Sequence, residues 1–266
     1  MFATPTLLSR GFWGRSLEEA KRFTKIIVKM EGVRGAQGPY ELFHFRDADS
    51  LLDCKVMSDE EIGGVSTSNL DRAPASLPRI AHPYARFHGT ISTQLPPGRQ
   101  EIKRTGYAAW RTRDRGATVF GRSLWDIDPY SYLALRVKSD GRNYLVNVQT
   151  ESVEPTDLHQ HRLFSKKPGE WETVLIRWSD LVRTNHGFVV EPQTELMRQK
   201  VKSIGIGLTD RVPGPFELCI ESIWATNDVS EADGVADLSA GVEGNLKTKQ
   251  GEKVAWRGAM SASTHT

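Results

Sequence analysis

Apolar and polar residues alternate with a period of two across residues 133–150, which read LALRVKSDGRNYLVNVQT. The apolar positions on one face of this extended stretch are Leu133, Leu135, Val137, Tyr144, Val146 and Val148. Ser139, Asp140 and Gly141 interrupt the alternation with residue types that favour a turn, because Gly accepts positive φ and Asp can bond its own backbone. The pattern predicts a β-hairpin with one buried face.

A second hairpin pattern lies at residues 203–223. Its apolar positions before and after a turn at residues 210–215 are Ile204, Ile206, Leu208, Phe216, Leu218 and Ile220. Because a two-stranded ribbon is only marginally stable in water, each predicted hairpin needs a second layer to cover its apolar face. Further strand patterns lie at residues 40–45, 84–91, 107–112, 117–120, 161–164 and 171–178. The sequence therefore predicts an all-β sandwich.

The N-terminal segment, residues 1–35, differs from the rest of the chain. Over residues 1–30, six Lys and Arg residues against Glu18 and Glu19 give a net charge of six minus two, or +4. Its apolar residues at helical spacing are Trp13, Leu17, Ala20, Phe23, Ile27 and Met30. The pattern predicts a basic amphipathic helix. Three roles stay open for it: mitochondrial targeting, contact with a membrane surface, or docking of its apolar stripe on the sandwich.

We expect residues 36–225 to form the sandwich domain. Residues 226–266 are rich in Gly, Ala, Ser and Asp with few large apolar residues, so they are expected to form a flexible, disordered tail. Within the domain, residues 72–79 contain two prolines and predict a surface loop, whereas residues 193–201 weakly favour a short helix. Residues 114–116, Asp-Arg-Gly, predict a turn between two strands.

Composition excludes several classes of protein. A formal charge of +2 provides no overall basic field, so nucleic acid is not an expected partner. No apolar run approaches the roughly 18 residues that a membrane-spanning helix needs. Cys54 and Cys219 are too few for a disulfide framework or a cysteine-based metal site, which suits a reducing compartment.

Two short motifs are typical of cofactor or metal chemistry but do not support it here. His159 and His161 would share one face of a strand, yet no third ligand follows at a compatible spacing, so no metal is expected. Gly205 and Gly207 begin like a dinucleotide-binding fingerprint, but Asp210 stands where the third Gly belongs and the motif lies inside a strand. These glycines more simply indicate close packing against the sheet. No cofactor is predicted.

The acidic residues and tryptophans also have simple interpretations. A carboxylate pair for glycoside hydrolysis could come from Asp126, Asp128, Glu151, Glu154 and Asp157, although acidic loops are usually just solvated. Core packing is the expected role of Trp110, Trp171, Trp178 and Trp224, while coplanar exposed tryptophans would indicate sugar binding. The G-x-S-x-G nucleophile motif is absent. Nothing in the sequence demands catalysis.

Four blocks, taken in order, resemble the complex I intermediate-associated protein 30 family, also called NADH dehydrogenase assembly factor 1. They read VMSDEEIGGVSTSNL at 56–70, FHGTIS with GYAAWRTRDRG at 87–92 and 106–116, LRVKSDGRNYLVNVQT at 135–150, and WETVLIRWSDL followed by VKSIGIGLTDRVPGPFELCIESI at 171–181 and 201–223. The ordered set covers roughly residues 40–225. It is the order of the blocks, more than any single one, that is specific.

The resemblance implies a galactose-binding-like jelly-roll β-sandwich, similar to carbohydrate-binding modules. It implies a mitochondrial chaperone that binds membrane-arm assembly intermediates of respiratory complex I, works with other assembly factors, and is absent from the finished enzyme. It also implies a location in the matrix with peripheral contact to the inner membrane. The family offers no settled catalytic residues, so none is assigned and an enzyme is not expected.

The positions that match the family's motifs are candidates for partner binding: Ser58, Asp59, Gly63, Gly64, Ser66, Arg111, Arg113 and Asp114. Loops on a rigid sandwich commonly carry binding, but glycines that turn the chain and charges that pair across strand ends would explain the same residues structurally. A carbohydrate-binding module is the main alternative function, and a sandwich hydrolase is a third hypothesis.

Overall fold

The computed structural model describes residues 11–28, 38–73, 83–99, 101–152 and 154–232. Helix α1, Phe12–Val28, precedes a series of strands. The strands are β1 Tyr40–His44, β2 Cys54–Ser58, β3 Thr67–Ala73, β4 Tyr84–Ile91, β5 Ala108–Thr112, β6 Ala117–Thr118, β7 Gly121–Arg122, β8 Tyr132–Ser139, β9 Tyr144–Thr150, β10 Asp157–Arg162, β11 Trp171–Arg177, β12 Val182–Asn185, β13 Phe188–Val189, β14 Val201–Leu208 and β15 Gly214–Thr226. Short 3₁₀ helices occupy Ala48–Asp53, Asp59–Ile62, Trp178–Asp180, Arg198–Lys200 and Val229–Glu231.

Two antiparallel sheets face each other. The first has the order β11-β8-β15-β4-β3, with β1 also pairing to β15, and the second has the order β13-β12-β10-β9-β14-β5-β2. Their inner faces enclose a core in which Phe87, Trp110 and Ile204 are fully buried. Alternation of the side chains across each strand places these residues inward and their neighbours outward. The predicted all-β jelly-roll sandwich with an N-terminal amphipathic helix is therefore confirmed.

Both predicted hairpins are wrong in their pairing. β8 bonds to β11 and β15 in the first sheet, whereas β9 bonds to β10 and β14 in the second. Likewise, β14 and β15 lie in different sheets. Each turn is an arch that carries the chain across the core from one sheet to the other. Alternation predicts a buried face for each strand, but a hairpin and an arch satisfy that pattern equally well.

The two arches are joined by a buried ion pair at one end of the sandwich. Arg142, on the arch after β8, donates from Nε and Nη2 to the two carboxylate oxygens of Asp210, on the arch after β14, at 3.0 and 2.7 Å. The Arg142 guanidinium also donates to the carbonyl oxygens of Gly214 at 3.1 Å, of Pro215 at 3.0 Å and of Val212. One cation therefore holds the arch between β14 and β15 against the arch between β8 and β9.

Three smaller expectations also need correction. Residues 117–120 were expected to pair back to β5, but β6 pairs with β7 in a separate ribbon. The expected loop at residues 72–79 begins later, because β3 continues through Ala73, and residues 74–79 lie outside the described part. The helix expected at residues 193–201 is reduced to the 3₁₀ turn Arg198–Lys200 before β14. Residues 233–266 of the predicted tail lie outside the described residues.

Helix α1 docks on the sandwich through polar contacts of Arg15 and Ser16 and one aromatic contact, from Phe23 to Phe120. Ser16 is 6% exposed and faces the body, whereas Trp13 is 75% and Leu17 57% exposed. The apolar stripe is divided in the described part of the helix: Phe23 packs against Phe120 of the β6–β7 ribbon, while Trp13 and Leu17 face solvent. No helix within the described ranges combines the length and the apolar composition needed to cross a bilayer.

Candidate partner-binding site

The first matched motif is built around a buried carboxylate at the end of β2. Asp59 has no exposed surface, and its Oδ1 accepts a hydrogen bond from the Ser66 amide at 2.9 Å. Its Oδ2 accepts from the Ser66 hydroxyl at 2.8 Å and from the Gly106 amide at 2.5 Å. Ser66 Oγ in turn accepts from the Ser92 amide at 2.9 Å. Because several donors converge on it, this carboxylate ties together the segments that follow β2 and β4 and precede β5.

The glycines of the motif are required by the same packing. A Cβ on Gly64 would lie 2.4 Å from Cγ of Asp59, so only glycine allows the backbone this close to the carboxylate. Gly63 ends the Asp59–Ile62 turn at φ 89°, and the Ser58 hydroxyl caps its start by accepting from the Glu60 amide at 3.3 Å. Ser58, Asp59, Gly63, Gly64 and Ser66 thus act together by fixing the shape of one loop.

This loop borders a groove at the same end of the sandwich. Arg99 Nη1 donates to the Ile62 carbonyl at 3.1 Å, and Gly63 packs against Pro96 and Arg99. The groove is shallow and open to solvent, has a volume of about 430 Å³, and is lined by Leu95, Pro96, Gly98, Arg99, Ile102 and Lys103. Arg211, on the arch before β15, donates to the Thr105 carbonyl at 3.3 Å and so holds that arch beside the groove segment.

Exposed apolar side chains lie in the groove and on the two segments that contact it. Val65, Leu95 and Val212 each leave more than half of their surface in solvent. We call Val65, Leu95, Arg99, Lys103 and Val212 the loop-end surface. Sequence reasoning found the motif beside it but missed the groove, although LPPGRQEIKR at residues 95–104 mixes apolar and basic residues between two strands. Such a surface suits an apolar partner segment that carries negative charge.

The second group of matched residues lies at the opposite end of β5. Arg111 Nη1 donates to Asp114 Oδ1 at 2.9 Å, and Lys202 Nζ lies 2.9 Å from Asp114 Oδ2. Burial raises the pKa of Asp114, but hydrogen bonds from Lys202 and Arg111 outweigh that effect and hold the pKa below its ordinary value. Arg113 Nε donates to the Cys54 carbonyl at 3.1 Å. Four steps of about 3.3 Å along β5 separate its ends, so the two groups do not form one site.

The histidines of β10 are largely buried, and two of the acidic residues have local ion-pair partners. His159 is buried in β10, and burial lowers the pKa of both His159 and His161. Asp157 pairs with Arg183 at 2.6 Å, and Glu151 accepts from Arg122 at 3.1 Å. Across the ranges that the structure describes, no group of three or more His, Cys, Asp or Glu residues is placed to hold a metal ion.

The tryptophans and cysteines are mostly packed. Trp110 and Trp178 are buried in the core, as expected, while Trp171 packs edge-on against Tyr84 at 5.2 Å and Trp224 donates to Glu231 at 2.6 Å. The described strands therefore show no coplanar exposed tryptophans of the kind that a sugar-binding platform needs. Both cysteines are free and buried, and burial raises the pKa of Cys54 to about 12 and that of Cys219 to about 11.

Comparison with known sequences finds one family. The model of the complex I intermediate-associated protein 30 family matches residues 43–220. A Neurospora crassa protein named complex I intermediate-associated protein 30, mitochondrial, is 56% identical over 270 residues, which cover 96% of each chain. A Mus musculus protein of the same name is 32% identical over 232 residues, covering 85% of this chain and 64% of the mouse protein.

Comparison with solved structures supports the fold alone. The family 11 carbohydrate-binding module of the cellulosomal cellulase Lic26A-Cel5E of Clostridium thermocellum aligns with a TM-score of 0.51. The alignment covers 73% of this chain and 96% of the module, at 14% sequence identity. At that identity the alignment shows a shared architecture only, because proteins with the same fold can bind different ligands.

Proposed function

The chain belongs to the complex I intermediate-associated protein 30 family, and from that premise we propose that it is a chaperone of respiratory complex I assembly. It binds an assembly intermediate of the membrane arm, acts with other assembly factors, and leaves before the enzyme is complete. Its place is the mitochondrial matrix, in peripheral contact with the inner membrane. The observation that carries this proposal is the 56% identity, over 96% of both chains, to a mitochondrial protein named for complex I intermediates.

The chain performs this role by binding, with the loop-end surface as its main contact. The Asp59 hydrogen bonds support this assignment, because they fix the loop beside the groove before a partner arrives. Val65, Leu95 and Val212 supply exposed apolar area, and Arg99 and Lys103 supply positive charge. A partner that must later be released suits a modest interface of roughly 1,000 Å².

The two groups of matched residues have different roles in this proposal. Ser58, Asp59, Gly63, Gly64 and Ser66 position the loop that presents the surface. Arg111, Arg113 and Asp114 form a second, charged contact at the far end of β5, where the side chains of Arg111 and Asp114 are 32% and 47% exposed. An extended intermediate would touch both ends, since the sandwich is only a few tens of ångströms across.

Rescue of a deletion strain tests the assignment of the surface. The double variant Leu95→Asp with Arg99→Glu reverses the apolar and basic character of the groove while leaving the core intact. Met197→Asp is the control, because Met197 is 40% exposed, belongs to neither proposed contact, and precedes the start of β14, whereas the groove lies at the end of the sandwich where β14 finishes.

We expect the double variant to restore severalfold less mature complex I on native gels than the wild type, with the control equal to the wild type. Equal rescue by the double variant, at equal protein level, would remove the loop-end surface from the proposal.

A further inference from the structure

Helix α1 is held on the sandwich by polar contacts. Arg15 Nη2 donates to the Ala117 carbonyl at 3.1 Å, and the Ser16 hydroxyl accepts from the Val119 amide at 3.0 Å. About two turns later, Arg22 lies 4.0 Å from the Asp126 carboxylate, and its guanidinium stands 5.1 Å from the Tyr40 ring centre. These contacts fix the rotation of the helix about its axis, so its opposite side must face away from the sandwich.

That opposite side carries an apolar row. At 100° per residue, Trp13, Leu17 and Val28 fall within an arc of about 60°. Their exposed fractions are 75%, 57% and 76%. Large apolar side chains on a docked helix normally face the body they dock on, so this orientation leaves unfavourable contact with water unless something covers the row.

The ribbon beside the helix carries further exposed apolar side chains. Val119 and Phe120 form the turn between β6 and β7, and each is 57% exposed. Phe120 packs edge-on against Phe23 of α1, with ring centres 5.5 Å apart. We call Trp13, Leu17, Val28, Val119 and Phe120 the outer patch. It joins two elements that are adjacent in space but about 100 residues apart in the sequence.

The charges of the helix point to an anionic partner. Arg15 and Arg22 contact the sandwich, and Glu19 pairs with Arg22. The charges that helical spacing places on the outer side of α1 are therefore Lys21 and Lys25 against Glu18, two minus one, or +1. Lys21 is exposed and follows Leu17 by one turn, at the border of the apolar row. A helix with an apolar side, a basic border and an exposed tryptophan is suited to the boundary between lipid headgroups and acyl chains.

We propose that the outer patch binds the surface of an anionic phospholipid bilayer, with α1 lying parallel to it between the bilayer and the sandwich. This inference rests on the proposed location at the inner membrane and identifies the surface that makes the contact. Trp13, Leu17 and Val28 enter the headgroup boundary, and Lys21 meets the anionic headgroups. Because the polar side of α1 already binds the sandwich, membrane contact needs no rotation or release of the helix.

Vesicle sedimentation of the purified full chain tests this. Wild-type protein is mixed with vesicles of phosphatidylcholine alone or with added phosphatidylglycerol, and a Trp13→Ser, Leu17→Ser double variant is compared. Each large apolar residue that half enters the bilayer strengthens binding about fivefold to tenfold, so the double variant should bind at least about twentyfold more weakly. Phe164→Ser is the control, because Phe164 is 39% exposed, belongs to neither named surface, and follows β10 beside the arch between β8 and β9, at the other end of the sandwich.

We expect the wild type and the control to bind the anionic vesicles alike, and more tightly than the neutral ones at low salt. Absence of wild-type binding, or equal binding by the double variant, would overturn the proposal. If the wild-type protein does not bind vesicles and the double variant no longer comigrates with assembly intermediates, the outer patch binds a protein instead of a bilayer. That result would also overturn the proposal. The vesicle assay contains no partner, so its failure leaves the assembly role standing, and failure of that role leaves the vesicle result unchanged.

Discussion

Loss of the Arg142–Asp210 ion pair should destabilise the whole sandwich. The pair joins the two arches that cross between the sheets, and the side chains of Arg142 and Asp210 are only 14% and 5% exposed. Arg142→Met keeps most of the side-chain length but removes the cation that both arches share. The Asp210 carboxylate would then be left buried without its main partner.

The expected magnitude follows from burial and geometry. Removing one partner of a buried pair costs about 3–5 kcal/mol, because the remaining charge stays desolvated. The bidentate geometry, at 2.7 and 3.0 Å, places this pair among the stronger kind. For a domain of this size each kcal/mol lowers Tm by about 2–4 °C, so Tm should fall by between about 6 and 20 °C.

Thermal and urea unfolding of purified variants measures the effect. Arg122→Met is the control, since Arg122 and Glu151 form a pair of similar length, 3.1 Å, with side chains 67% and 36% exposed. An exposed pair contributes about 0.5 kcal/mol, so the control should shift Tm by about 2 °C or less. If Arg142→Met unfolds at the same temperature as the control, the arches are not held together by this ion pair and our account of them is refuted.

Three further predictions concern stability. Asp59→Asn should lower the free energy of unfolding in urea by about 3 kcal/mol or more, because the new amide NH₂ would face the N–H and O–H donors that now bind a carboxylate. A decrease below about 1 kcal/mol would contradict the hydrogen-bond network. Gly64→Ala should lower the free energy of unfolding by about 2–4 kcal/mol. Gly207→Ala should lower it clearly less, because the atom nearest to a Cβ on residue 207 is Asn147 Nδ2, at 3.0 Å, and that side chain can move. Equal decreases for the two variants would argue against a rigid loop at Gly64. Burial raises the pKa of Asp157, yet hydrogen bonds from Asn185 and Arg183 keep the pKa below its ordinary value of 3.8. Ionised Asp157 therefore stabilises the fold above about pH 4, and this stabilisation is lost as pH falls further. Asp157→Asn should make the free energy of unfolding depend less steeply on pH below about pH 4. An unchanged dependence in that range would contradict this.

The strands could be predicted from sequence, whereas their partners could not. β8, β9, β14 and β15 all fall where the alternation of apolar residues placed them. Their pairing depends on hydrogen bonds to strands far away in the chain, and a short turn looks the same in a hairpin and in an arch. Asp210 illustrates the point: it lies in the turn pattern of residues 210–215, but its partner Arg142 lies 68 residues earlier.

The candidate site was only partly predictable for a similar reason. The motif at residues 58–66 is identified by its resemblance to the family. Its structural role depends on hydrogen bonds that involve Gly106 and Ser92, and the sequence gives no sign that these residues lie near Asp59. The amphipathic pattern correctly predicted helix α1. The side of the helix that faces the sandwich could not be predicted. It depends on the Ala117 carbonyl, which accepts a hydrogen bond from Arg15, and on the Val119 amide, which donates one to Ser16.

Complexome profiling on native gels tests the central claim most directly, using mitochondria from wild-type cells and from cells that lack this protein. Our account predicts that the protein comigrates with a membrane-arm subassembly, is missing from the band of mature complex I, and is needed for that band to form. Normal complex I in cells without the protein, together with no comigration in wild-type cells, would contradict it.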